Sequence, residues 1–364
     1  MTDRLLGRDS NRLLAIDVVR GFVMVLMTLD HASSSFNAGR LMSDSAAAAH
    51  AGGALDPMQF AIRWVTHLCA PTFVMLAGAS LALSATRRLR DGVPGSAVDR
   101  DILIRGALLI AIDVVWMSWV WKLGTPVQLG VLYAIGASMI GMIALRRLPA
   151  LVVGGLGVAI MVGGEALTGQ LDPGQVLTAA TLSGGRFGPL IFFYPFLPWT
   201  GFMMVGWALG VRLAGPGMRA RDWGILAAIA AVTFVVVRGL DSYGNAHLQR
   251  GGSSWIDWLH VSKYPPSLAY AALELAIAFA LLAATWRWAK PWRPLVVLGQ
   301  TALFFYVLHV HLLKIAALAL GLYKSAGIGV TVIAWLAMVA ALYPLSRWYL
   351  AVKRRHPTSA LRFL

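Results

Sequence analysis

The stretch NRLLAIDVVRGFVMVLMTLDHA, residues 11–32, decides how the rest of the chain is interpreted. Its length and apolar content predict a membrane-spanning helix. Asp17, Arg20 and His31 fall near one face of that helix, with about 16 Å between Arg20 and His31 along its axis. Ionisable side chains inside a bilayer are costly and usually line a wet cavity or a reaction site. We therefore expect this face to line a route across the membrane, with His31 performing chemistry at its far end.

The chain as a whole has the composition of a membrane protein. Of its 364 residues, 58% are hydrophobic and 13% are charged, whereas a soluble domain carries about 25% charged residues. Apolar segments of about 20 residues, separated by charged or Pro/Gly-rich breaks, predict about ten transmembrane helices. They are placed at 13–35, 57–85, 102–121, 127–145, 149–168, 189–212, 222–240, 267–287, 294–320 and 326–349. The predicted fold is an all-α polytopic membrane protein, one bundle and one domain over residues 1–364.

Basic residues give the orientation of the predicted bundle. Most of the 31 Lys and Arg residues fall before the first helix, in the even-numbered connections, and after the last helix. The positive-inside rule places these segments and both termini in the cytoplasm. The net charge of +15 is therefore a topology signal, and nucleic acid is rejected as a partner.

The orientation also gives the depth of the polar residues in the first two helices. Asp30 and His31 lie near the outer end of the first helix, whereas Asp17 lies near its cytoplasmic end. Arg63 and His67 are four residues apart, which places both on one face of the second helix. Pro71 is expected to kink that helix because it removes a backbone hydrogen bond.

Further polar residues fall at the outer ends of the eighth and ninth helices. Lys263 and Tyr264 immediately precede the eighth helix, and Glu274 lies in its outer half. His309 and His311 are two residues apart, so at most one is expected to face a common chamber. The sequence predicts one polar chamber formed by Asp30, His31, Arg63, His67, Glu274 and one of these histidines. Each has a structural alternative, such as a simple Asp17–Arg20 ion pair or a core histidine at position 67.

Two functions fit a polar face that crosses the membrane. One is a proton-coupled transporter of a small solute or glycolipid. The other is a transferase that takes a donor from the cytoplasm and an acceptor from outside, with His31 as general base and Asp30 orienting it or raising its basicity. The histidines cluster at one end and Arg20 lies at the other, which favours the transferase. A metal site built from His31, His67 and Asp30 is a third option, but no metal is expected because no compact ligand motif is present and Cys69 is the only cysteine.

Four segments also carry a resemblance to a known family. They are RLLAIDVVRGF…LDH, THLCAPTFVMLAGASL, VSKYPPSL and LGQTALFFYVLHVHLL. Arg20 and His31 stand in the R-x10-H arrangement of the acyltransferase-3 group. Together the segments resemble the bacterial branch of the heparan-α-glucosaminide N-acetyltransferase family, a branch described as a domain of unknown function. The likeness extends over nearly the whole chain.

The resemblance implies a transmembrane acyltransferase of the bacterial inner membrane. Its donor substrate would be cytoplasmic acetyl-CoA, and its acceptor an amine or hydroxyl of an extracytoplasmic saccharide. The lipid bilayer is a further partner, and a homodimer is a further expectation. Expected roles are donor binding by Arg20, Asp17 and Arg105, catalysis by His31, Asp30 and His67, and substrate binding by Lys263, Tyr264, Arg63 and His309.

Overall fold

The computed structural model describes residues 2–41, 55–121, 127–172, 174–287, 292–356 and 359, and most of them are helical. The helices of the first half are α1 (Thr2–Phe36), α2 (Pro57–Val65), α3 (Cys69–Arg90), α4 (Gly95–Ala111), α5 (Ser118–Trp121), α6 (Val131–Leu145), α7 (Ala150–Gln170) and α8 (Val176–Thr178). The helices of the second half are α9 (Phe196–Ala214), α10 (Ala220–Leu240), α11 (Trp255–Leu259), α12 (Leu268–Arg287), α13 (Arg293–Gln300), α14 (Ala302–Ala319) and α15 (Ile328–Arg355).

Seven helical stretches in the described part of the chain are long and apolar enough to cross a membrane. They are Pro57–Arg90, Gly95–Val120, Ala150–Gln170, Ala220–Leu240, Leu268–Arg287, Ala302–Ala319 and Ile328–Arg355. These stretches make the chain a multi-pass membrane protein. Helix forms at each of the ten predicted positions, but α6 has only 15 residues. The count of ten crossings and the cytoplasmic placement of the termini stay predictions.

A small sheet replaces two of the predicted helix starts. Its strands are β1 (Val127–Leu129), β2 (Gly185–Phe187) and β3 (Leu190–Phe192). β3 lies in the middle, parallel to β1 and antiparallel to β2. Helices predicted from residues 127 and 189 therefore begin later, while the described chain as a whole is the predominantly helical bundle that the sequence predicts.

Asp113 explains why the helix after β1 starts late. It lies in a π-helical segment, Ile112–Met117, between α4 and α5. Its carboxylate accepts hydrogen bonds from the backbone N–H groups of Gly130 and Tyr133, at 2.7 and 2.8 Å. Free N–H groups at a helix N-terminus need such acceptors. A side chain distant in sequence thus fixes where α6 begins.

Pro71 breaks the second predicted helix, as its chemistry requires. A 3₁₀ turn, Thr66–Leu68, separates α2 from α3 just before this proline. Because proline has no N–H, the carbonyl oxygen of His67 loses its helical partner. The hydroxyl of Tyr270 on α12 donates to this oxygen at 3.1 Å. The break is therefore satisfied by another helix, which ties α3 to α12.

Helix α1 lies among α3, α12, α13, α14 and α15. Two glycines allow its close approach to α13. A Cβ atom at Gly21 would overlap the carbonyl oxygen of Leu295, and one at Gly299 would overlap the carbonyl oxygen of Asp17. Small residues at such positions let helix backbones meet closely within a membrane. This packing fixes the position of the polar face of α1.

Candidate active site

A cavity of about 1100 Å³ runs beside α1. From α1 it is lined by Asp17, Arg20, Met24, Met27, Asp30, His31, Ser34 and Ser35. These positions form one continuous face of a helix. The face predicted from the sequence to line a route through the bundle therefore does line a cavity, from near Asp17 to beyond His31.

One end of the cavity is strongly basic. We call it the Arg20 end and define it by Arg20, Asp17, Arg105, Lys353 and Arg354, all of which line the cavity. Arg105 lies on α4, and Lys353 and Arg354 lie on α15. Four cations therefore meet one carboxylate, so this end of the cavity carries a local excess of positive charge.

Hydrogen bonds hold the α1 side chains at the Arg20 end in place. Arg20 donates to the Ser80 hydroxyl at 2.6 Å and to the Asp17 carboxylate at 3.2 Å. The other Asp17 oxygen accepts from the Gln300 amide at 2.8 Å. Arg354 donates to the remaining oxygen of that amide at 3.0 Å. The pair Asp17–Arg20 is thus part of a network that joins α1, α3, α13 and α15.

The opposite end carries the histidine. We call it the His31 end and define it by His31, Asp30, Arg63, Lys263 and Tyr264, which also line the cavity. Arg63 comes from α2, and Lys263 and Tyr264 come from the connection that precedes α12. Lys263 is 3% exposed, and its ammonium group lies 5.3 Å from the centre of the Tyr264 ring. Three of the four residues predicted to bind substrate are therefore on the cavity wall.

Asp30 makes contacts with residues outside α1. Its Oδ1 atom accepts hydrogen bonds from Arg63 at 2.5 Å, from Arg40 at 2.9 Å and from Thr66 at 3.0 Å. Arg40 also donates to the Asp30 carbonyl at 2.7 Å. These bonds join the carboxylate to two arginines, and its predicted role of orienting His31 stays a prediction. Asp30 organises the cations of the His31 end.

The ring that contacts His31 belongs to α14. Nδ1 of His31 lies 2.8 Å from Nε2 of His309, and the Tyr306 ring centre is 5.9 Å from that of His31. His309 is fully buried behind His31 and is not among the residues that line the cavity, so its substrate-binding role stays a prediction. His311 points away, as the spacing of two residues predicts, and its ring lies 4.5 Å from that of Trp116.

His67 and Glu274 lie behind the cavity wall. His67 is 1% exposed and Glu274 is 1% exposed, and the His67 ring packs against Tyr270 with 5.9 Å between ring centres. Arg63 and His67 were expected to share a helical face. Arg63 lines the cavity, whereas His67, in the 3₁₀ turn that follows α2, is not among the lining residues. The catalytic role of His67 stays a prediction.

The connection before α12 is held in place by hydrogen bonds from one arginine. Arg238 on α10 is 1% exposed and donates to the carbonyl oxygens of Leu248, Asp257 and His260, at 2.8, 2.5 and 2.7 Å. Nearby, the Ser254 hydroxyl donates to the Asp257 carboxylate at 2.6 Å and lowers the pKa of Asp257. The connection that carries Lys263 and Tyr264 is therefore firmly anchored.

Two protein-family models match the chain. A model described as "Heparan-alpha-glucosaminide N-acetyltransferase, catalytic" matches residues 12–244, more than half of the chain. The chain belongs to this family. A second model, "Protein of unknown function (DUF418)", matches residues 212–361. A search of curated proteins finds no match to the chain.

The two family matches meet in the cavity. Of the lining residues, His31 and Arg63 lie in the first matched stretch, whereas Lys263 and Tyr264 lie only in the second. Membership of the acetyltransferase family agrees with the resemblance seen in the four sequence segments. It identifies the protein as a membrane-embedded transferase.

Several cavity residues were missed by sequence reasoning. They are Ser80, Arg186, Tyr194, Gln300, Lys353 and Arg354. Lys353 and Arg354 were counted only as topology signals, although their place at the end of the last helix could have marked them as donor-binding candidates. The hydroxyls of Tyr194 and Tyr264 lie 3.2 Å apart, a pairing that no local pattern reveals. Within the described part of the chain, no cluster of three or more His, Cys, Asp or Glu is arranged to hold a metal ion.

Proposed function

We propose that the protein transfers an acetyl group from cytoplasmic acetyl-CoA to an amine or hydroxyl of an extracytoplasmic saccharide. The observation that carries this proposal is the single cavity that joins the Arg20 end to the His31 end. An activated acyl group can pass along it without crossing lipid. The cavity is lined by residues from both ends of the chain, including α1 and α15. This supports the view that residues 1–364 act as one catalytic unit.

The Arg20 end suits the phosphates of coenzyme A. Arginine binds phosphate with two parallel charged hydrogen bonds, and lysine adds a point charge. Arg20 is already oriented by Ser80 and Asp17. Arg105 and Lys353 line the cavity nearby and extend the basic surface. We place the 3′-phosphate and the diphosphate of the donor among these side chains.

The middle of the cavity suits the arm of the donor. Met24, Met27, Phe73, Leu109 and Ile135 line it. A mostly apolar wall with few polar groups is typical of sites that hold an extended organic ligand. With its phosphates at the Arg20 end, the donor arm would run along α1 and bring its thioester to His31.

The chemistry at the His31 end needs one base and one centre of positive charge. The acceptor amine or hydroxyl attacks the thioester carbonyl while His31 takes its proton. The carbon–sulfur bond then breaks, His31 passes the proton it took to the coenzyme A thiolate, and the thiol leaves toward the Arg20 end. Lys263 and Arg63 stabilise the oxyanion that forms on the carbonyl. His67 has no part in this scheme, and no metal ion is required by it.

The acceptor is proposed to be an acidic saccharide. Besides Arg63 and Lys263, the cavity is lined by Arg40 and Arg186, while Asp30 is the carboxylate beside them. Positive charge at the mouth of a cleft attracts anionic substrates and raises the rate of encounter. The basic connections predicted to be cytoplasmic put the Arg20 end inside the cell, so this saccharide would be met outside the inner membrane.

The direct test uses sealed vesicles that contain the purified full chain. Acetyl-CoA labelled in the acetyl group is enclosed in the lumen with the Arg20 end facing it, and an acidic amino-sugar oligosaccharide is added outside. We expect label on the outer saccharide while coenzyme A stays in the lumen. A neutral oligosaccharide of equal length serves as the control acceptor and should be acetylated more slowly.

The same vesicles separate the transferase from the transporter. Uptake of unmodified saccharide or a proton flux without acetyl transfer would support the proton-coupled transporter instead. Transfer of label only to acceptors inside the lumen would contradict the proposed direction of transfer.

A further inference from the structure

We infer that His309 is a positioning residue that fixes which nitrogen of His31 acts as the base. The inference starts from two hydrogen bonds in series. Nδ1 of His309 lies 2.9 Å from the carbonyl oxygen of Phe305, one turn earlier on α14. Nε2 of the same ring lies 2.8 Å from Nδ1 of His31. His309 is 0% exposed, so this arrangement is held within packed protein.

The chemistry of these atoms allows one neutral arrangement. A carbonyl oxygen only accepts hydrogen bonds, so the proton of His309 is on Nδ1. Nε2 of His309 is then an acceptor, because neutral imidazole has one donor and one acceptor nitrogen. Nδ1 of His31 must therefore donate to it. The lone pair of His31 is left on Nε2, which becomes the basic nitrogen.

The surroundings of the pair support neutral rings. Among the residues that the structure describes, the charged and titratable groups that face it are Asp30, Arg40, Arg63 and Lys263 around His31, and Tyr306 and His311 around His309. Three cations accompany one carboxylate, so a further positive charge on either ring has little to stabilise it. The backbone carbonyl oxygen of Phe305 thus sets the tautomer of His31 through the His309 ring.

In this geometry Asp30 and His309 contact different groups and have different roles. In many catalytic sites a carboxylate holds the second nitrogen of the base and keeps it in the correct tautomer. Here the Asp30 carboxylate bonds to Arg40 and Arg63, and a neutral histidine holds the second nitrogen. A neutral partner orients the base without adding a negative charge beside it. The catalytic meaning of this arrangement rests on the proposed transferase function, but the tautomer itself does not.

The test compares His309→Gln with His309→Leu in the full chain. The glutamine side chain places an amide oxygen near the position of Nε2 and can accept from His31, whereas leucine of similar size cannot. His311→Leu is the matched control, since His311 contacts Trp116 outside the cavity wall. We expect His309→Leu to lower kcat at least about tenfold with little change in the KM for acetyl-CoA. His309→Gln should restore most of the rate, with the acidic limb of the pH profile moved.

A second readout is independent of any transfer activity. Nitrogen-15 NMR of the labelled protein reports which ring nitrogen of His31 carries the proton, and the His31→Ala spectrum assigns the signal. We expect protonated Nδ1 in the unmodified protein and in His309→Gln, and a shift toward protonated Nε2 in His309→Leu. Protonated Nε2 in the unmodified protein, or equal and measurable transfer rates for the two variants, would overturn the inference. Absence of all acetyl transfer with the expected spectra would refute the proposed function alone.

Discussion

Both ends of the cavity place an aspartate of α1 beside an arginine, yet the two pairs are built differently. Asp17 and Arg20 are on the same helix, and each has a further partner, Gln300 for the carboxylate and Ser80 for the guanidinium. Asp30 instead gathers arginines from outside α1, Arg40 and Arg63. The first pair presents positive charge to a cavity mouth. The second lies beside the imidazole rings of His31 and His309, which can accept and donate protons.

Under the proposed function, this difference divides donor binding from chemistry along one helix. Positive charge is enough to hold an anionic donor, and positive charge is the main feature of the Arg20 end. Proton transfer needs a base of fixed geometry, and the His31 end offers a ring held at 2.8 Å by a second ring. We expect substitutions at the two ends to affect different kinetic constants.

The largest effect is expected for His31→Ala. Loss of a general base lowers the rate of transfer by about 10²–10⁴-fold, while the donor-binding residues lie at the other end of the cavity. Steady-state transfer and acetyl-CoA binding by calorimetry would be measured side by side. His311→Ala provides the control on α14 and should transfer normally. Normal turnover by His31→Ala would remove His31 from the mechanism.

A smaller effect, on stability, compares Asp30→Asn with Asp17→Asn. Removing the Asp30 charge leaves Arg40, Arg63 and Lys263 without their carboxylate, at a cost of about 3 kcal/mol. The Asp17→Asn side chain keeps one acceptor oxygen, for Arg20 or for the Gln300 amide, and Arg20 keeps its bond to Ser80, so a smaller cost of about 1 kcal/mol is expected. Thermal unfolding of both variants in detergent would show the difference. Equal melting temperatures would mean that the two ends are electrostatically alike.

The smallest effect is expected for Arg105→Gln and Lys353→Gln. Loss of a charged hydrogen bond of about 1.5 kcal/mol would raise the KM for acetyl-CoA about tenfold with kcat unchanged. The increase should shrink at high salt, because ions screen exposed charges. Arg100→Gln is the control on α4, since its side chain is 68% exposed and bonds weakly to Asp101. A fall in kcat without a change in KM would place the donor phosphates elsewhere.

Sequence reasoning reached the cavity but missed part of its construction. The spacing of Asp17, Arg20 and His31 predicted a lining face, because helical periodicity is a local property. The contacts of Asp30 could not be predicted in this way, since Arg63 and Thr66 come from other elements. The 3₁₀ turn that carries His67 also needed the structure, although Pro71 indicated its approximate position.

By itself the sequence determined a helical membrane protein, the polar face of α1 and membership of an acetyltransferase family. Hydropathy, periodicity and charge bias are carried by neighbouring residues, so they can be read along the chain. Only the tertiary structure decided that His309 lies against His31, 278 positions earlier in the chain. It also decided that the Asp30 carboxylate bonds to Arg40 and Arg63. Such pairings depend on which helices touch. In a bilayer, close packing of small residues such as Gly21 and Gly299 selects those contacts.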